Sequence, residues 1–95
     1  MIDHVSIAVR DLNACGLFYD AVLTAIGFSR LVTRPGTIGF GKKYPEFWLN
    51  ERRAKTPVDP DSGAHICLRA SSVEEVQAFH AAAIKIGRAS CRERV

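Results

Sequence analysis

Three side chains of this chain carry the donor chemistry of a transition-metal centre: His4, Glu46 and His65. Two imidazoles and a carboxylate suit a divalent cation such as Zn, Ni, Fe or Mn, with positions left open for water or substrate. A cation so held polarises an adjacent oxygen and stabilises an enolate or a bound anion. Glu46 could act there as ligand, as base, or as both in turn. No short motif joins the three, so the fold has to gather them. Trp48, Arg69, Cys67 and Phe40 are candidates for the walls of a pocket around them. Trp48 would serve equally well in the core, and Arg69 at a solvated strand end. Cys67 has no neighbour that would activate it as a nucleophile. His80 is expected to face solvent from a helix, and Arg52, Arg53 and Lys55 to form a solvated loop.

The elements that must position these residues follow from periodicity. Ile2 to Val9 alternates Val5, Ile7 and Val9 with His4, Ser6 and Ala8, which reads as a strand. Asp11 is a good helix N-cap. From Leu12 the apolar positions recur at helical spacing to Ile26, and Gly27 stops the helix. Strands are expected over Phe28–Thr33, Thr37–Gly41 and Glu46–Asn50, with a turn at Arg34-Pro35-Gly36. Glu51 to Gly63 has no periodicity and reads as an exposed linker. Ala64–Ala70 reads as a fifth strand. Ser72 with Glu75 forms a capping-box pattern before a helix with Val73, Val76, Phe79 and Ala83 on one face.

Parity then sorts the faces. Val5, Ile7, Ile66 and Leu68 should lie under the helices, which puts His4 and His65 on the opposite face; if Phe47 and Leu49 also lie under the helix, Glu46 joins the two histidines. The chain also resembles itself. With His4 laid on His65, Asp11 meets Ser72, Phe18 meets Phe79 and Leu23 meets Ile84, and no gap is needed. Each copy is a strand led by histidine, a capped turn and an amphipathic helix. Three strands follow the first helix and none follows the second, so the second copy is expected to be truncated.

Composition is that of an ordinary globular protein, 47% hydrophobic and 24% charged. No apolar stretch is long enough to span a bilayer, and the N-terminus is not that of a secretory signal, so a cytoplasmic location is expected. The net charge of +3 would suggest nucleic-acid binding, but residues 86–95, IGRASCRERV, contribute two of those three charges. That segment can be encoded by a DNA string similar to a common short-read sequencing adapter. It is expected to be a non-native tail after a domain spanning residues 1–85. Cys15, Cys67 and Cys91 show no CxxC spacing, and reduced thiols are expected.

Three segments carry a family resemblance: HVSIAVRDLNACGLFYDAVLTAIGF, EFWLNE and GAHICLRA. The first is similar to the opening of many vicinal oxygen chelate proteins, the superfamily of glyoxalases, bleomycin resistance proteins and extradiol dioxygenases. The second resembles the fourth strand of their first module, and the third the first strand of their second. The resemblance covers nearly all of Met1 to Lys85. It implies an α+β fold of paired βαβββ modules forming an incomplete barrel, here with the second module cut after its first strand and helix. It implies that His4, Glu46 and His65 match metal-ligand positions, with no counterpart for the family's usual fourth ligand, a late glutamate. The expected activity is metal-dependent, on a small substrate with adjacent oxygens: a lyase like lactoylglutathione lyase, or a dioxygenase. The chain alone is then expected to be an inactive fragment. The alternative is a non-catalytic protein like the bleomycin resistance proteins, cupping a flat ligand between aromatic walls such as Trp48 and Phe40. The partners expected are a small molecule and a second copy in a homodimer, with neither nucleic acid nor membrane.

Overall fold

The computed structural model describes residues 1–54, 56 and 59–86. Within them the elements run β1 (Val5–Val9), α1 (Leu12–Thr24), β2 (Ser29–Arg34), β3 (Thr37–Gly41), β4 (Pro45–Glu51), a 3-10 turn (Pro60–Ser62) and α2 (Val73–Ile86). The four strands form one mixed sheet in the order β1-β4-β3-β2. β1 runs parallel to β4, while β4–β3 and β3–β2 are antiparallel. This is an α+β, glyoxalase-like βαβββ arrangement followed by a second helix. Lys55, Pro57, Val58 and residues 87–95 lie outside the described residues, so the expected tail is represented only by Ile86, which ends α2.

α1 starts where the sequence says it should. The Asp11 carboxylate accepts from the Ala14 N–H at 3.1 Å, which satisfies one of the free amides of the first turn. A second acceptor comes from across the fold, because Glu51 Oε2 takes the Leu12 N–H at 3.3 Å. Gly27, at φ 89°, provides the left-handed turn that ends the helical path. Leu12, Tyr19, Val22 and Leu23 of α1 are buried against the sheet. The sheet answers with Val9, Ile38, Phe40, Phe47 and Leu49, all at most 3% exposed. Tyr19 is central to this layer, with ring centroids 5.2 Å from Phe47 and 6.5 Å from Phe40. At one side of α1, Arg30 of β2 grips Asp20 with two nitrogens, at 2.6 and 3.0 Å.

Three sequence expectations are corrected here. The segment Ala64–Ala70 is not a strand and joins no ladder of the sheet. Its alternation is nonetheless real: Ile66, Leu68 and Ala70 turn towards the core while His65, Cys67 and Arg69 are exposed. The pattern therefore recorded one apolar side, and a pattern alone supplies no hydrogen-bonding neighbour. β1 begins at Val5, not Ile2, which leaves His4 one residue before the paired strand. Cys15 is disulfide-bonded and not reduced, whereas Cys67 is a free thiol.

α2 is capped as its sequence suggests, with a shift of one residue. Ser72 Oγ accepts from Glu75 N at 3.1 Å, and the Glu75 carboxylate accepts from Ser71 N at 2.6 Å. No α2 residue is buried. Phe79, Ala82 and Ala83 touch the core, while Val73 and Val76, expected on the same face, are 67% and 56% exposed.

Candidate functional site on the open sheet face

α1 covers one face of the sheet, and the residues of opposite parity line the other. The strand register arranges them in rows. Ser6 pairs with Trp48, Trp48 with Gly39, and Gly39 with Val32. Ala8 pairs with Asn50, Asn50 with Thr37, and Thr37 with Arg34. Neighbours paired across a sheet point to the same side, so these are two adjacent rows of one face. The Thr37 hydroxyl donates to Asn50 Oδ1 at 3.2 Å, in keeping with that placement.

Glu46 lies between the Phe47–Phe40 and Pro45–Gly41 pairs as the extra residue of a register irregularity in β4, where strand alternation is interrupted and does not by itself assign a face. The first paired position of β1 is Val5 with Phe47, so His4 and Glu46 are the residues that precede that pair on the two adjacent, parallel strands. His4 Nδ1 lies 2.9 Å from Asp3 Oδ2. A carboxylate that takes the Nδ1–H of an imidazole leaves Nε2 as its free donor atom.

His65 does not join them. It lines a cleft of about 360 Å³ with Ile26 at the end of α1 and Val76 and Phe79 of α2. Among the described residues, no group of three His, Cys, Asp or Glu side chains is gathered to hold a metal. The physical reason is the missing ladder: His65 could stand beside His4 only if residues 64–70 were held in register with the sheet. Cys67 shares the same cleft, and Arg69 is exposed on that segment. Phe40 is corrected from pocket wall to core, being 0% exposed and packed towards α1. His80 is exposed on α2, as expected.

Trp48 remains on the open face, half-buried. Its ring lies against Gly39, where an added Cβ would fall 2.8 Å from ring atom Cζ3. The guanidinium of Arg34 sits 5.9 Å from the Trp48 ring centroid. Arg34 was not among the sequence candidates, because the sequence placed it in the turn after a strand ending at Thr33; in the structure it is the last residue of β2. Glu51 was also missed. Its carboxylate serves the start of α1 and lies 3.4 Å from Arg53, so its role is in the scaffold. No described helix is long and apolar enough to cross a membrane.

No protein-family model and no curated protein matches the chain. Among solved structures, it is similar to a glyoxalase/bleomycin resistance protein from Albidiferax ferrireducens T118. That likeness has a TM-score of 0.75 at 29% identity and covers 90% of this chain and 68% of the other. With the βαβββ topology, it supports for this chain the superfamily that its sequence resembles, that of the glyoxalase/bleomycin resistance proteins.

Proposed function

We propose that the open face of the sheet binds a small molecule with adjacent oxygens, and that His4 and Glu46 hold the divalent cation that chelates it. The observation carrying this is the parallel β1–β4 register, which brings a histidine and a glutamate to neighbouring strand ends. The fit is partial: these are two protein donors, and a catalytic centre usually takes at least three. A cation bound there would polarise a substrate oxygen, as lyase or dioxygenase chemistry of the glyoxalase type requires. Asp3 Oδ2 lies 2.9 Å from His4 Nδ1, and the tautomer that donates there would leave Nε2 available to a cation. Glu46 supplies a carboxylate able to bind or to accept a proton. Two such donors alone would hold a cation weakly.

The test is a Mn²⁺ titration followed by electron paramagnetic resonance. The expected result is weak binding that falls about ten-fold or more in both His4→Ala and Glu46→Gln, the size of a lost ligand contact. Binding that neither substitution changes overturns the assignment.

A second reading, of ligand binding without chemistry, is favoured by one further observation. The face has an aromatic floor, Trp48, seated on Gly39 and flanked by a cation. That floor needs no metal to hold a flat molecule.

A further inference from the structure

Arg34 differs from the other arginines near the sheet. Arg30 is held by Asp20, Arg52 donates to the Glu51 carbonyl, and Arg53 lies beside the Glu51 carboxylate. Arg34 has the Trp48 ring as its neighbour and no hydrogen bond or ion pair with another described residue. A guanidinium stacked near an indole keeps its planar fork of donors free for a carboxylate. The rows of the face set the order of chemistry along it. His4 and Glu46 are at one end, Trp48 is in the middle, and Arg34 with Thr37 and Asn50 is at the other. Glu46 and Asn50 are four positions apart on β4, about 13 Å at the rise of a β-strand.

We propose that Trp48 and Arg34 form a subsite for a flat, carboxylate-bearing small molecule, with the carboxylate at Arg34 and the ring plane on Trp48. This rests on the reading of the open face as the ligand site and adds the substrate class to it: an anion whose oxygen-rich end points towards His4 and Glu46. Charge fixes the direction. The guanidinium of Arg34 attracts an anion to its own end of the face, about 13 Å along the strands from Glu46. Gly39 is the positioning residue, because its missing side chain leaves the room that the Trp48 ring occupies.

The chain has a single tryptophan, so one indole N–H signal in a nitrogen–proton correlation spectrum reports this floor alone. The probes are 4-methylbenzoate and its neutral counterpart 4-methylbenzamide, titrated with EDTA present so that no metal contributes. The benzoate is expected to move the Trp48 indole signal and to bind about ten-fold more tightly than the amide, the worth of one charge-assisted contact. Arg34→Gln should bring the two probes to about the same affinity, and Arg34→Lys should keep part of the preference. Equal affinity for both probes in the wild type overturns the proposal, as does a preference that Arg34→Gln leaves intact. Binding that moves signals of Leu68 and Phe79 but not the indole also overturns it, by placing the probe in the other cleft. The Mn²⁺ titration is separate: loss of metal binding with the benzoate preference retained defeats the metal assignment alone, and the converse defeats this one alone.

Discussion

A methyl group placed on Gly39 would meet the Trp48 ring at 2.8 Å, and an indole cannot yield as the end of a flexible chain can. Gly39→Ala should therefore lift Trp48 from its seat. Overpacking of this kind costs about 1–3 kcal/mol, and removing a strand glycine returns about 0.5–1 kcal/mol, so a net loss of up to about 2.5 kcal/mol is expected in urea unfolding. The emission of Trp48 should shift to the red as the ring enters water; unchanged emission would show that the ring does not lie on Gly39. At this scale the sequence was partly legible. The alternation in EFWLN set Phe47 and Leu49 on one face and Trp48 on the other, and the register agrees, while Glu46 falls at the irregularity between the Phe47 and Pro45 pairs, where alternation assigns no face. The glycines of TIGFG gave no sign that one of them is a seat for a ring. Phe40 was misread because its parity depends on pairing to β4, which a five-residue strand does not reveal by itself.

At the scale of the element, α1 is the part that the rest leans on, and its first turn joins two distant pieces of chain. Asp11 caps it locally, and Glu51 reaches it from the end of β4. Both carboxylates sit where the helix dipole is positive. Asp11→Ala should cost about 1 kcal/mol, typical of a lost N-cap. Glu51→Gln keeps an acceptor and loses the charge, so its cost should be smaller, about 0.3–1 kcal/mol, and should shrink further in high salt. Chemical denaturation of both variants at two salt concentrations checks this; an equal, salt-independent loss would mean that Glu51 acts by packing and not by charge. The Asp11 cap was readable because it is local in sequence. The Glu51 contact was not, because it exists only once the parallel pairing of β1 with β4 has brought Glu51 beside Val9.

Across the whole molecule, the first βαβββ unit and the following segment are held by different kinds of contact. β3 is hydrogen-bonded on both sides and buried beneath α1. Residues 64–70 touch the core only through Ile66, Leu68 and Ala70, and α2 beyond them has no buried residue. The repeat between His4 and His65 was visible in the sequence, but what makes β1 a strand is its partner β4, and the second copy has no such partner among the described residues. Side-chain contact without a ladder leaves backbone amides open to water, so local opening should be easy there. The amides of residues 65–70 are expected to exchange with solvent at rates near those of an unfolded chain, and those of β3 and β4 orders of magnitude more slowly. The exposed thiol of Cys67 gives an independent reading, since it should be alkylated by iodoacetamide without prior unfolding. Protection of residues 65–70 equal to that of β3, together with a Cys67 that reacts only after denaturation, would mean that in solution the segment has found a strand to pair with. His65 would then be brought into a register with other strands that its present position in the cleft does not give it.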